Sequence, residues 1–191
     1  DMPQDVKAAF VVCDGVGGID KGEVASSIAA KTIGREMQRA DLSRPFTAKD
    51  FGRVLNAVYD AFTRASDASN RGMATTMTFV CFHSKGIFTA YIGDSRIYQL
   101  RKGRKHFRTF DHSKVFDMVS NGLMTEEQAR QSNFSNIITR ALGIWPNVEP
   151  AIAELPYRKG DRFLLCSDGI WNGEPEPEML KLFTENAGQP K

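Results

Sequence analysis

From residue 73 to residue 109 the chain shows no helical pattern, only strand-like runs separated by turn-sized breaks. Residues 75–82 and 87–92 are rich in β-branched and aromatic residues and are joined by His83-Ser84-Lys85-Gly86. Residues 96–100 and 106–109 flank Arg101-Lys102-Gly103-Arg104. Short polar, glycine-bearing breaks between such runs are hairpin signals, and hairpins force antiparallel pairing. A doubly wound parallel sheet would need a helix between most strands, so that architecture is excluded. Further strand-like runs stand at residues 8–13, 151–155 and 162–166.

Helical periodicity lies outside this block. After Gly22, residues Ala25, Ile28, Ala29, Ile33 and Met37 recur at the 3.6-residue period. Past a loop at residues 41–45, Thr47 is placed to cap a second helix. Its apolar face is Phe51, Val54, Leu55, Val58 and Phe62. Residues 113–131 form a more polar helical stretch broken at Asn121-Gly122, and residues 175–186 a short last helix. These patterns predict an α+β fold with mainly antiparallel sheet.

The chain has 191 residues, of which 41% are hydrophobic. That is enough for one cored domain. With no repeat or Pro/Ser linker, residues 1–191 are expected to form a single domain. Lys and Arg total 25 against 23 Asp and Glu, a net charge of +2, which argues against nucleic acid as a partner. The basic run at residues 101–105 reads as a solvated hairpin tip, since no aromatic platform accompanies it. No apolar run reaches 18 residues, so no membrane span is expected. The opening Asp1-Met2-Pro3-Gln4-Asp5 is polar and acidic, unlike a signal peptide. Cys13, Cys81 and Cys166 are odd in number and far apart, and read as buried thiols of a reducing compartment. A cytoplasmic location follows as the expectation. With no Cys-x-x-Cys and only His83, His106 and His112, a zinc site is not expected.

Several chemistries fail by inspection. A cysteine phosphatase needs Arg six residues after Cys, but Cys13, Cys81 and Cys166 are followed there by Ile19, Ile87 and Asn172. No phosphate-binding Gly-x-x-x-x-Gly-Lys-Ser/Thr loop, Gly-x-Ser-x-Gly elbow or His-Glu-x-x-His is present. What remains is carboxylate placement. Asp14, Asp94 and Asp168 each close an apolar strand-like run, and Asp14 and Asp168 each precede a glycine. A single Asp-Gly is ordinary turn chemistry. Three such carboxylates converging would make an all-oxygen site for a hard cation such as Mg²⁺ or Mn²⁺.

The wording around these residues is more specific. Asp14-Gly15-Val16-Gly17-Gly18 with Gly22-Glu23-Val24-Ala25-Ser26 resembles the Asp-Gly-Met-Gly-Gly…Gly-Glu-x-Ala-Ser signature of the metal-dependent protein phosphatase 2C (PP2C, PPM) family. Met73-Ala74-Thr75-Thr76, Gly93-Asp94-Ser95-Arg96, Asp111-His112-Ser113, Asn136-Ile137-Ile138-Thr139-Arg140-Ala141-Leu142-Gly143 and the run from Gly160-Asp161-Arg162 through Ser167-Asp168-Gly169 follow in the family's order. The resemblance spans residues 7–171 and is of the bacterial type. It implies two central antiparallel sheets packed as a sandwich and flanked by helices. It also implies hydrolysis of phosphoserine and phosphothreonine in proteins by a water bridging two metals.

By the same resemblance Asp14 and Asp168 would be catalytic metal ligands, with Asp14 bridging two ions. Gly15 would help hold one of them through its carbonyl. Asp94 would join Asp168 in holding a third, weaker ion. Mn²⁺ or Mg²⁺, two or three ions, would be the cofactor. Residues 114–135 would be a flap beside the site. Phosphorylated proteins, a cognate Ser/Thr kinase and that kinase's substrates would be the partners of a monomeric enzyme.

The family also carries an arginine and an Asn-Glu-Asp segment on an earlier strand, and an Asp-Asn pair on a late one. Neither occurs here, and no aspartate follows Asp168. The intact central motifs favour a chain trimmed of terminal strands. The alternative is a degenerate module that binds phosphoproteins or a kinase without hydrolysis. A partner-switching phosphatase acting on an anti-sigma-factor antagonist would use the same chemistry as the first reading. A purely structural module, the third class, would bind no Mn²⁺. Alanine at position 74 replaces the usual glycine, and Ser132-Asn133 the flap's usual His-Pro. Arg96 and Arg140 read as carboxylate partners rather than phosphate ligands. His112 reads as a loop tether rather than a general acid, Asp111 as an acceptor for backbone N–H groups, and Trp145 and Trp171 as packing residues.

Overall fold

The computed structural model describes residues 7–18, 21–66, 72–134, 137–144 and 148–185. Its strands are β1 (Ala8–Val12), β2 (Met77–His83), β3 (Gly86–Ile92), β4 (Arg96–Arg101), β5 (Arg104–Arg108), β6 (Ala151–Leu155) and β7 (Arg162–Cys166). Its helices are α1 (Gly22–Gln38), α2 (Ala48–Ala65), α3 (Lys114–Ser120), α4 (Glu126–Arg130), α5 (Asp168–Trp171) and α6 (Glu176–Glu185). One sheet has the order β1-β2-β3-β6 and the other β5-β4-β7. Every strand pairing is antiparallel, as the hairpin pattern requires.

Side-chain alternation turns these sheets into layers. On β2 and β3, Phe79, Cys81, Phe88 and Ala90 face α1 and α2. Val80, Ile87 and Tyr91 point the other way and meet Ile97 of β4. Tyr98 and Leu100 of β4 face outward onto Trp171, Met179 and Leu180 of α5 and α6. The order is therefore helices, sheet, sheet, helices. Part of the packing is aromatic. Phe51 of α2 lies 4.8 Å from Phe79 and 5.5 Å from Phe88, ring centre to ring centre. Truncating a fully buried phenylalanine such as Phe51 costs roughly 3–5 kcal/mol.

The local signals that start these elements are visible. The Thr47 hydroxyl accepts the Asp50 N–H at 3.3 Å, and the Asp50 carboxylate accepts the Thr47 N–H at 3.1 Å, a reciprocal cap for α2. Arg44 forks onto the same carboxylate at 2.8 and 2.9 Å. The β4–β5 hairpin turns on Lys102 (φ 51°) and Gly103 (φ 74°), the left-handed pair that suits strand twist. β2 begins at Met77 rather than at Thr75. Thr75 instead bridges Gly15 on one side and Leu142 on the other. Outside the sandwich, α3 and α4 form a polar arm. Arg108 at the end of β5 ties that arm down, with its guanidinium forked onto Glu126 at 2.8 Å and bonded to Glu176 of α6 at 2.9 Å. No described helix is long and apolar enough to cross a membrane.

Candidate functional site

Three loops at one end of the sandwich carry the aspartates singled out above. Asp14 follows β1, Asp94 lies in the β3–β4 turn, and Asp168 opens α5 immediately after β7. Together with Gly15, Val16, Gly17, Thr76 and Ile138 they line one cavity of about 310 Å³. No cationic side chain is among these lining residues.

Asp14 and the Asp94 turn are held through their backbone. The Asp14 N–H donates to the Thr76 hydroxyl at 3.2 Å, and the Asp14 carbonyl accepts the Thr76 N–H at 2.8 Å and the Thr75 hydroxyl at 2.9 Å. The next residue must be glycine. A Cβ on Gly15 would sit 2.3 Å from the carbonyl carbon of Gly22, so the loop and the start of α1 touch backbone to backbone. The Asp94 turn is fixed on both sides. Gly93, at φ 99°, leaves no room for a side chain against Thr76. Its N–H donates to His112 Nδ1 at 3.2 Å, and its carbonyl accepts the His112 N–H at 2.9 Å. Ser95 and Thr76 share a hydroxyl–hydroxyl bond of 2.7 Å.

The electrostatics follow from this crowding. Burial, the charge of Asp168 and a hydrogen bond with it raise Asp14 above the usual carboxylate range. Burial, with the charges of Asp111, Asp168 and Asp14, pushes Asp94 up to about 6. Like charges without a counter-ion are costly in a partly buried site. The donor set is all oxygen and negative, with no cation among its described lining residues, and the Gly15–Gly22 contact leaves backbone in place of a side chain. These features fit a hard divalent cation. Among the described residues no group of three or more His, Cys, Asp or Glu side chains is gathered tightly enough to hold one ion alone.

Neighbouring residues depart from expectation in instructive ways. Arg96 does pair with a carboxylate, forking onto Asp111 at 2.8 and 2.6 Å. Asp111 therefore accepts a side chain rather than the backbone N–H groups expected of it. Arg140 is exposed and pairs with no carboxylate among the described residues, against the expectation. His112 is a tether: besides its two bonds to Gly93, its carbonyl accepts the Thr139 N–H at 2.8 Å, and its ring stacks on Tyr91. Cys81 and Cys166 are buried and Cys13 is half-buried. Burial pushes the Cys13 thiol up to about 12. Trp145 lies outside the described residues.

Sequence reading did not single out Val16, Gly17, Thr76 or Ile138 as cavity residues. Thr76, like Val16, Gly17 and Ile138, stands in one of the family-like motifs, but nothing in residue type marks its hydroxyl as the anchor of Asp14. Trp171, expected to pack, also donates its indole N–H to the Asp94 carbonyl at 3.0 Å.

The chain matches the model of the family described as protein phosphatase 2C over residues 3–188. It is 30% identical over 185 residues to the serine/threonine phosphatase stp of Listeria innocua, covering 94% of this chain and 73% of that protein. The crystal structure of the Mycobacterium tuberculosis serine/threonine phosphatase PstP/Ppp superposes with a TM-score of 0.81 at 29% identity, over 93% of this chain and 77% of that one. The catalytic domain of the serine/threonine phosphatase PstP in complex with 2 manganese ions superposes with a TM-score of 0.77 at 29% identity, over 95% and 77%.

Proposed function

This chain belongs to the protein phosphatase 2C family, and from that membership together with its carboxylate cavity we infer that it hydrolyses phosphoserine and phosphothreonine in proteins using divalent cations. The observation that carries the reading is the meeting of Asp14, Asp94 and Asp168 from three loops in one cavity without a cation among its lining residues. Asp14 and Asp168 line the same cavity, where burial and the Asp168 charge raise Asp14, and they would hold the ions nearest the chemistry, with the Gly15 carbonyl beside them. Asp94 would hold a further ion with Asp168. Mn²⁺ or Mg²⁺, two or three in number, is the cofactor proposed, and a related structure holds 2 manganese ions. Bound cations of this kind acidify a water and offset charge on a phosphoryl group.

The chain's own residues supply position and shape. Thr75 and Thr76 lock the Asp14 backbone, and the Gly15–Gly22 contact locks the loop that follows it. Val16 and Ile138 give the cavity its apolar wall. In the hydrolysis a water oxygen bonds to phosphorus, the phosphorus–oxygen ester bond breaks, and the serine or threonine oxygen takes a proton. His112 is not among the residues that line the cavity, and its Nδ1 accepts the Gly93 N–H, so its role here is that of a tether. Residues 114–135 are proposed as the flap beside the entrance, within a single domain spanning residues 1–191. The partners proposed are phosphoproteins, a cognate Ser/Thr kinase and that kinase's substrates, met by a monomer in the cytoplasm.

The test is hydrolysis of a phosphothreonine peptide by this chain with Mn²⁺ and then with excess EDTA. Turnover that EDTA abolishes is expected. Absence of turnover despite Mn²⁺ binding that depends on Asp14 would replace the reading with a phosphoprotein-binding module.

A further inference from the structure

Trp171 is joined to the cavity without lining it. It lies three residues after Asp168 in α5 and is 8% exposed. Its Nε1–H donates to the carbonyl oxygen of Asp94 at 3.0 Å. The Arg96 guanidinium lies over its ring, 3.6 Å from the centroid, and Arg96 is forked onto Asp111. The indole therefore connects the β3–β4 turn to α5, and each of those segments carries one cavity carboxylate. Packing alone would not require this, because a phenylalanine would fill similar space without bonding. A buried indole N–H needs a partner, and here the partner is the backbone of a cavity residue.

The ring cannot easily turn away from that partner. Arg96 and Asp111 are both largely buried, with side chains 8% and 5% exposed. Moving the guanidinium off the indole face would also disturb an ion pair that is costly to break in a buried place. His112 holds Gly93 and Thr76 holds Ser95, while Trp171 bonds to Asp94 itself.

We propose that Trp171 is a positioning residue, whose indole N–H fixes the Asp94 carbonyl and so sets Asp94 against Asp168 as a paired site for a divalent cation, with Arg96 and Asp111 holding the plane of the ring. This rests on the reading of Asp94 as a cation ligand.

Mn²⁺ titration calorimetry on the parent chain, Asp94→Asn and Trp171→Phe separates the two claims. Asp94→Asn is expected to lose the weaker Mn²⁺ binding step. Trp171→Phe is expected to weaken that same step about 10-fold or more, with the tighter step and the far-UV circular dichroism unchanged. The Mn²⁺ concentration for half-maximal turnover should rise by the same factor, with KM for the phosphopeptide unchanged. If Asp94→Asn loses the step while Trp171→Phe binds as the parent does, the positioning role is overturned. If Asp94→Asn keeps every step, the reading of Asp94 itself fails, and the proposal with it. Should Trp171→Phe not fold, the natural indole reports instead. The chain has 2 tryptophans, so Trp145→Phe leaves Trp171 as the sole one. Its emission should change over the Mg²⁺ range of the weaker step, and flat emission across that range would overturn the proposal.

Discussion

His112 Nδ1 accepts the Gly93 N–H, so the neutral ring carries its proton on Nε2. Burial, with the nearby charge of Arg140, lowers its pKa to about 4, well below the ordinary histidine value near 6.5. Between those values the unfolded chain binds the proton and the folded chain does not. Stability from this residue is thus full above about pH 6.5 and is lost as pH falls toward 4. Histidine NMR titration should find one ring that stays neutral until about pH 4. A His112 midpoint near 6.5 would show that its ring is not buried against Tyr91. The cavity aspartates are expected to act differently, because the cation-binding role proposed for them needs their charge. Asp168→Asn keeps size and shape but removes the negative charge proposed to hold a cation. It is expected to lower Mn²⁺-dependent turnover by more than about 100-fold, beyond the loss typical of residues that merely support a metal ligand. Circular dichroism should be unchanged, and turnover within tenfold of the parent would remove Asp168 from the proposed ligand set.

Glycines show how one residue type has opposite effects in different elements. Gly34 lies inside α1, is exposed, and has nothing within 4 Å of where a Cβ would stand. Gly34→Ala should stabilise the chain by about 0.5–1 kcal/mol, since glycine in a helix interior carries that entropic cost. Gly15→Ala should do the reverse, because its Cβ would lie 2.3 Å from the backbone of Gly22. Urea midpoints for both variants check the pair, and equal midpoints would contradict the contact. The same contrast explains what the sequence revealed. The face of α2 was legible because Phe51, Val54, Leu55, Val58 and Phe62 repeat at helical spacing, and all are buried. Strand runs and hairpins were legible through alternation and turn residues. Asp14, Asp94 and Asp168 were legible as strand-end carboxylates, and their family motifs gave them order. Contacts between segments far apart in sequence were not legible. The Trp171–Asp94 bond spans 77 residues, and Arg108 sits in a polar hairpin whose composition suggests exposure, yet its side chain is only 6% exposed between Glu126 and Glu176. Local pattern carries no record of such pairings.

Across the whole molecule two groups of carboxylates respond to acid in opposite directions. Asp50 under Arg44, Glu126 under Arg108 and Asp161 under Arg101 are all held below their ordinary range, chiefly by hydrogen bonds from the arginine. Their contribution is present above the unfolded carboxylate pKa and is lost as pH falls through the folded one. Asp14 and Asp94 are raised instead, so in the ion-free chain their charges oppose folding at neutral pH. Protonation relieves that opposition as pH falls through about 6 for Asp94. The rise of Asp94 to about 6 corresponds to a destabilisation on the order of 3 kcal/mol at pH 7. Asp94→Asn removes the charge and keeps the shape. In EDTA at pH 7 it should therefore melt above the parent by about 6–12 °C, given the usual sensitivity of a chain of this size. The gain should vanish near pH 4, where the parent's Asp94 is already protonated. Saturating Mn²⁺ should narrow or reverse the order, because an ion that binds only the folded state stabilises it by mass action, about 2.7 kcal/mol at one hundred times its Kd, and the parent keeps the fuller ligand set. Calorimetric melting in EDTA and in Mn²⁺ at both pH values measures all of this. An Asp94→Asn chain that melts below the parent in EDTA at pH 7 would mean that the cavity's charges are already balanced without an ion, and the physical case for a cation at this end of the sandwich would fall with it.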